Sequence, residues 1–367
     1  MQGGGNTKTT RAWVKHLLKW FAAGKRSMPW RADPTPYRVW ISEVMLQQTR
    51  VEAVIPYFLR FVARFPDLQT LARADLQDVL KVWEGLGYYS RARNLHVAVR
   101  QIVEQHAGRI PASRDELRTL PGIGDYTAAA IASIAFGQPV PVVDGNVLRV
   151  FARFWGVKDD IGQPRVRADF ARRLEPAIAG ADPSAFNQAI MELGALICIP
   201  RHPRCGVCPL RRTCVALQAG RTEDLPRKAP KAAVPHYDIA VGVIWKRGKI
   251  LIAKRRQDQM LGGLWEFPGG KRRPGEPLRR TARREIREET GLVVRIAGRP
   301  YALVEHGYAH FTISMTAFRC AWVSGRARAH SADELRWIRP EELDDYPFPR
   351  ANRKIAEAIQ ASLPASP

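Results

Sequence analysis

A multidomain protein, with an all-α domain followed by an α/β domain with a mixed sheet, is predicted from three features of the 367-residue sequence. Up to about residue 219, apolar residues recur at spacings of three and four, the period of helices packed on one face. Residues 220–235, "GRTEDLPRKAPKAAVP", are rich in Pro, Lys and Ala and lose that period, as an exposed linker does. Beyond them the pattern changes to strands and turns. The expected organisation is a helical domain over 1–219, a linker over 220–235 and an α/β domain over 236–367.

In the first domain, "RAWVKHLLKWFA", "YRVWISEVMLQQ", "VIPYFLRFVARF", "ADLQDVLKVWEGL" and "YTAAAIASIAF" read as helices separated by Gly and Pro. In the second, "DIAVGVIWKRGKILIAKRR" reads as two strands around a Lys-Arg-Gly-Lys turn. "LVVRIAGRPYALVEH" and "HFTISMTAFRCAWV" supply further strands, and "RANRKIAEAIQASL" closes as a helix.

With 46% hydrophobic and 25% charged residues, the composition is that of a globular protein large enough for two cores. Lys and Arg outnumber Asp and Glu by 58 to 35, a net charge of +23, which favours polyanions and above all nucleic acid as partners. The N-terminal "MQGGGNTKTTR" lacks the apolar core of a signal peptide, and no uncharged run approaches the length of about 20 residues that spans a bilayer. A cytoplasmic, nucleoid-associated monomer without a membrane role is therefore expected.

Cys198, Cys205, Cys208 and Cys214 form a C-x6-C-x2-C-x5-C run, close enough to share either a cubane iron–sulfur cluster or a tetrahedral zinc ion. The intervening "IPRHPR" would present Arg201 and Arg204 to phosphates. The isolated Cys320 reads as strand packing. In "TLPGIGDYTAAAIAS", Gly122 and Gly124 punctuate two helical segments, with the second helix opening at about Asp125. Glycine allows close backbone approach, and a helix start supplies free N–H donors, so a phosphate-binding hairpin is expected. Two carboxylates complete the reading: Glu43 lies one step from the apolar face of its helix, and Asp144 follows a buried-looking Val-Val. Glycosidic cleavage needs one protonated acid and one ionised carboxylate, roles that two acids in different environments can divide.

"MPWR", "VWISEVMLQQTRVEAVIPYF", "WEGLGYYSRARNLH", "LPGIGDYTAAAIA", "VPVVDGNVLRV", "FNQAIMELGALIC" and the cysteine run stand in this order over residues 12 to about 216. Together they resemble the MutY family of adenine DNA glycosylases, in the helix-hairpin-helix superfamily. The resemblance implies a [4Fe–4S] cluster on the four cysteines and, as substrate, double-stranded DNA in which adenine is mispaired with 8-oxoguanine or guanine. It makes Glu43 the acid that protonates adenine and Asp144 the stabiliser of the sugar cation, supported by Tyr126 and Asn146. It puts Trp30, Arg31, Leu46 and Gln188 around the flipped adenine, and Gln48 and Tyr88 as wedges in the duplex. Related glycosylase-lyases carry a nucleophilic lysine where this chain has Tyr126, so a monofunctional enzyme that leaves an abasic site is expected.

In the second domain, "GGKRRPGEPLRRTARREIREETGL" fits G-x5-E-x7-R-E-U-x-E-E-x-G-U, with U aliphatic, and resembles the Nudix box of MutT-type hydrolases. Glu285, Glu288 and Glu289 fall at i, i+3 and i+4 on a helix, a face suited to Mg²⁺. The resemblance implies that this domain recognises 8-oxoguanine, with Phe267 and Asn352 placed to embrace the oxidised purine. In "HGYAHF", Ala309 replaces the serine of the family's reading loop, leaving Tyr308, His310 or Asn352 to read the base. A further carboxylate often used by such hydrolases has no clear match, Asp333 and Glu334 being the nearest acids. The alternative reading is a bifunctional protein that also hydrolyses 8-oxo-dGTP.

Overall fold

The computed structural model describes residues 7–229, 233–308 and 310–363. The chain forms two compact units, one of Met1–Arg73 with Asn94–Lys231, the other of Ala74–Arg93 with Ala232–Pro367. No helix among the described residues is long and apolar enough to cross a membrane.

The first unit is helical, as its sequence period predicts. It contains α1 (Thr7–Gly24), α2 (Pro29–Ala32), α3 (Pro36–Leu46), α4 (Val51–Arg64) and α5 (Leu68–Arg73). After α6 (Leu76–Trp83), which belongs to the second unit, α7 (Ser90–Gln105) returns the chain to the first. There follow α8 (Arg114–Arg118), α9 (Asp125–Phe136), α10 (Gly145–Trp155), α11 (Pro164–Ile178), α12 (Pro183–Leu196) and α13 (Val215–Gln218). One core gathers Trp13 and Leu17 of α1, Phe151 of α10, Phe170 of α11 and Phe186 and Leu193 of α12. α9 carries five alanines among its twelve residues. Ala128, Ala130 and Ala132 are fully buried, which lets α3 and α12 approach it closely. α3 is buried along Val39–Met45, so Glu43 is carried inside by its own helix.

In the second unit, β1 (His236–Lys246), β2 (Lys249–Arg255), β3 (Trp265–Glu266), β4 (Gly269–Lys271), β5 (Val293–Ile296), β6 (Ala302–Gly307), β7 (Thr312–Ser324) and β8 (Ala332–Ile338) form one sheet. The parallel β1–β7 pair runs in register from His236 opposite Thr312 to Trp245 opposite Ala321, and the other pairings are antiparallel. The sheet is therefore mixed, as the sequence predicts.

Alternation along β1 splits its side chains between the two faces. Ala240 and Ile244 join Ala282 and Ile286 of α14 (Leu278–Thr290), while Val241 and Val243 join Ile355 and Ile359 of α15 (Arg350–Ala361). Gly242 sits where any Cβ would collide with Cδ1 of Ile286 and come within 3.0 Å of Sγ of Cys320, so its lack of a side chain sets how closely α14 approaches. Cys320 is buried on its strand, the packing role expected of it.

Residues 74–93 join this unit through specific bonds. Nε1 of Trp265 donates to Gln77 at 3.0 Å, whose own amide donates to the Gly263 carbonyl at 2.9 Å. Glu84 accepts from the Phe348 backbone N–H at 2.9 Å and pairs with Arg353 at 2.6 Å. The Tyr89 hydroxyl donates to the Phe348 carbonyl at 3.1 Å.

Gly242→Ala is expected to destabilise the second unit by ~1–3 kcal/mol through overpacking. Ile286→Val, which removes the colliding methyl, should recover part of that loss. Hydrogen exchange of the β1 amides in a double-mutant cycle checks it, and strict additivity would refute the contact.

Candidate active site

The first unit holds a cavity of about 620 Å³ lined by Trp30, Arg31, Glu43, Leu46, Tyr126, Asp144, Asn146 and Gln188. Eight residues selected from sequence, spread over five segments, thus face one space.

Glu43 is 5% exposed, and the Tyr126 hydroxyl donates to its Oε2 at 2.7 Å. Burial pushes the Glu43 carboxyl up to about 7. The Tyr126 hydrogen bond opposes this, the neighbouring Asp144 adds to it, and Arg31 opposes it again. Glu43 is therefore an acid that still holds its proton near neutral pH.

Asp144 caps α10, accepting from the Val147 backbone N–H at 2.7 Å and from Nδ2 of Asn146 at 2.9 Å. Burial raises its carboxyl too, but these bonds and the Arg149 charge favour the ionised form. Arg149 fixes Asn146 in turn, donating to its Oδ1 at 2.7 Å, to the Gly194 carbonyl at 2.8 Å and to the Cys198 carbonyl at 2.7 Å. One carboxyl is pushed up to about 7, and the other is raised by burial while its hydrogen-bond donors and Arg149 favour the ionised form.

The wall opposite is an ion-pair array. Nε of Arg31 donates to Oε1 of Gln188 at 2.7 Å, and Nη2 pairs with Oε2 of Glu192 at 2.8 Å. Oε1 of Glu192 accepts from the Arg26 backbone N–H at 2.8 Å. Glu192 was not singled out by the sequence, although it stands four residues after Gln188 on the same face of α12. Trp30 is buried and meets Phe58 edge-on, with centroids 5.2 Å apart.

Gln48 and Tyr88 both have exposed side chains on backbone of positive φ, 57° and 49°. Non-glycine residues seldom adopt this geometry, and it concentrates at functional sites. Gly122 has φ of 77°, and a Cβ there would lie 2.6 Å from Cβ of Asn94, so the hairpin needs glycine at this point. Gly124 caps α9 and faces open space, leaving the helix start accessible. Arg201 and Arg204 are exposed on the cysteine loop.

All four cysteines line one pocket, none of them in a disulfide, and Nη1 of Arg153 donates to Sγ of Cys198 at 3.5 Å. The buried Arg153 also holds the loop through the carbonyls of Ile199, Pro200 and Leu225. Burial, and then the neighbouring sulfurs, push the Cys208 thiol up to about 12. Thiols so disposed ionise readily only beside added positive charge, which a metal cluster supplies, so the donor set fits one. Among the described residues, no group of three or more His, Cys, Asp or Glu side chains already stands at the spacing of an ion site.

In the second unit, Glu285, Glu289, Glu266, Tyr308 and Asn352 line a cleft of about 440 Å³. Arg284 neutralises much of the acidic face. It makes a two-pronged bond to Glu276 at 2.9 and 2.8 Å and reaches Glu285 at 2.6 Å and Glu288 at 3.2 Å. Oε2 of Glu289 accepts from the Gly269 backbone N–H at 2.9 Å. Its carboxyl is pushed up to about 7, by burial first and Glu266 second. Phe267 is 1% exposed and stacks on Phe348 in the core, outside the cleft lining. Asn352 turns its Oδ1 to the Phe267 backbone N–H at 3.1 Å, so its amide N–H groups are the part left for a ligand. His310 is exposed beyond the lining, and Ala309 lies outside the described residues.

Comparison with known proteins agrees with both halves of this description. Residues 41–176 match the HhH-GPD superfamily of base excision DNA repair proteins, and residues 240–358 match the NUDIX domain. The adenine DNA glycosylase of Homo sapiens is 33% identical, over 95% of this chain and 74% of its own length. That of Buchnera aphidicola (subsp. Schizaphis graminum) is 36% identical, over 69% of this chain and 73% of its own.

The chain belongs to the adenine DNA glycosylase family.

A solved thermostable thymine-DNA glycosylase shares the helical part, with TM-score 0.53 and 27% identity over 58% of this chain and 98% of that one. Endonuclease III bound to DNA shows the same fold, with TM-score 0.50 and 23% identity over 59% of this chain and 98% of that one.

For this member of the adenine DNA glycosylase family, Glu43→Gln should be stabilising, with a definite pH dependence. The folded state raises the Glu43 pKa, so below the unfolded value of 4.5 the carboxyl costs nothing; the penalty grows up to about pH 7 and then stays constant. The mutant's gain should follow that course to an upper bound of about 3 kcal/mol, checked by thermal unfolding between pH 4 and 8.

Proposed function

We propose that the chain is a hydrolytic, monofunctional adenine DNA glycosylase that removes adenine mispaired with 8-oxoguanine or guanine in double-stranded DNA and leaves an abasic site. The observation that carries this is the Glu43–Tyr126 hydrogen bond in a cavity shared with Asp144. Glu43 protonates the departing base, and Asp144 stabilises the sugar cation. Tyr126 bears no amine, so no Schiff base forms at its position. The flipped adenine occupies the space between Trp30, Leu46, Arg31 and Gln188, while Gln48 and Tyr88 fill the gap in the duplex. Gly122, Gly124, Arg201 and Arg204 hold the phosphates, in keeping with the net charge of +23.

Catalysis lies over 1–219, a linker over 220–235 and recognition over 236–367, with residues 74–93 counted in the second compact unit; the protein acts as a nucleoid-associated monomer. Cys198, Cys205, Cys208 and Cys214 hold a [4Fe–4S] cluster, which supplies a structural cross-link for the loop bearing Arg201 and Arg204. The Nudix-like domain reads 8-oxoguanine through Tyr308 or the Asn352 amide, which line the cleft, rather than through His310, which lies beyond it. Hydrolysis of 8-oxo-dGTP is the less favoured reading, because Arg284 already balances Glu276, Glu285 and Glu288.

Single-turnover release of adenine from an 8-oxoguanine:A duplex tests the assignment. Glu43→Gln is expected to lower the rate by ~10²–10⁴-fold; near wild-type release would remove Glu43 from its role. Tyr126→Phe takes away a hydrogen bond to the carboxylate, so the Glu43 pKa should rise and the alkaline limb of the rate profile should move to higher pH.

A further inference from the structure

Glu192 is the one buried carboxylate in the cavity that neither proton transfer nor cation stabilisation uses. It is 2% exposed and binds two arginines. Oε2 lies 2.8 Å from Nη2 of Arg31, and Oε1 accepts from the Arg26 backbone N–H at 2.8 Å and from Nε of Arg26 at 3.3 Å. Arg31 is thereby held on three sides, since Nη1 donates to the Arg26 carbonyl at 3.1 Å and Nε to Gln188 at 2.7 Å. Gln188 is oriented in turn, its Nε2 donating to Ser184 at 3.0 Å, so its carbonyl oxygen stays on Arg31.

We propose that Glu192 is a positioning residue for adenine excision: it fixes Arg31 and Gln188 as the base-facing wall and balances the Arg31 charge so that Glu43 keeps its proton. This rests on Glu43 being the general acid. Arg31 is a cation close enough to pull the Glu43 proton affinity down, and burial alone would push the Glu192 carboxyl up, yet its arginine contacts hold it ionised. The charged and titratable groups lining the cavity around Glu43 are Lys25, Arg26, Arg31, Arg50, Glu52, Tyr126, Asp144 and Glu192. Glu52 is exposed and reaches Arg26 only at 3.5 Å, so it is a weak substitute. Removing the Glu192 charge leaves the Arg31 charge unbalanced in a medium of low dielectric, which favours ionised Glu43.

The test is the pH profile of single-turnover adenine release at saturating enzyme. Glu192→Gln should move the alkaline limb to lower pH by about one unit, so that its rate falls about tenfold more at pH 8 than at pH 5.5. Glu192→Asp, which keeps the charge, should return the limb towards wild type even if the plateau rate drops. The double change Arg31→Gln with Glu192→Gln should return it as well. A uniform loss at every pH, with the limb unmoved in Glu192→Gln, would overturn the proposal and leave Glu192 as packing. If Glu192→Gln does not fold, the Asp variant and the double variant still decide it, since a limb displaced in both refutes charge balance. Glu43→Gln run alongside separates the two readings: an active Glu43→Gln defeats the acid assignment, whereas an inactive one with an unmoved Glu192→Gln limb defeats only this proposal.

Discussion

Placing two carboxyl groups in one cavity is the constraint around which the first unit is arranged. A buried carboxylate is strongly disfavoured unless it is neutral or well supplied with donors, and Glu43 and Asp144 take one solution each. Glu43, behind a single tyrosine hydroxyl, has its carboxyl pushed up to about 7 by burial. Asp144 doubles as a helix cap, so its oxygens meet the free N–H groups that any helix start offers. The surrounding architecture makes these solutions available. The alanines of α9 let Tyr126 reach α3, and the turn before α10 delivers Asp144 with its donors attached. Arg149 ties Asn146 to the carbonyls of Gly194 and Cys198, so the shell around Asp144 and the cysteine loop share one side chain.

Arginine decides what the acids of each unit can do. In the first unit, Arg26 and Arg31 pair with Glu192, and Glu43 has no ion pair among the described residues, which is in keeping with a carboxyl raised towards neutrality. In the second, one guanidinium, Arg284, spans Glu276, Glu285 and Glu288. A complete Nudix box is therefore compatible with a helix whose charge is largely balanced inside the protein. Glu289 takes a third course: it accepts one backbone N–H and sits beside Glu266, and burial with that neighbour keeps its carboxyl high. The same residue type is made acid, anion or counter-ion by what faces it.

The parts legible in the sequence were those set by local spacing. Helical period, the change of period after residue 235 and the glycines of the hairpin are written within a few residues of one another, and the structure has the helical and mixed-sheet halves they imply. The gathering of eight cavity residues from five segments was legible only through resemblance, since no local rule brings α2, α3, α9, α10 and α12 together. Glu192 escaped because a lone glutamate in "MELGA" looks like a solvated helix position; only its depth and its two arginines mark it. Residues 74–93 carry an ordinary helical signal, and nothing local shows that Gln77, Glu84 and Tyr89 bond to Gly263, Trp265, Phe348 and Arg353. Phe267, selected as a base contact, stacks on Phe348, because a residue between two short strands carries no local signal of which side a cleft will occupy.

Stability and chemistry pull against each other in the cavity. Glu43 raised by burial and Asp144 raised by burial are each less favourable in the folded chain than in water, so the rest of the unit must hold them there. It does so with elements that do not depend on the site. The core of Trp13, Leu17, Phe151, Phe170 and Phe186 is built on helices whose other faces carry the cap of α10 and the Gln188–Glu192 pair of α12. α10 and α12 therefore serve two functions through their period alone, with one stripe supplying packing and the adjacent stripe supplying Asn146, Arg149, Gln188 and Glu192. A substitution on the packing stripe would loosen the unit as a whole. One on the other stripe would change the charges and donors around Glu43 and Asp144.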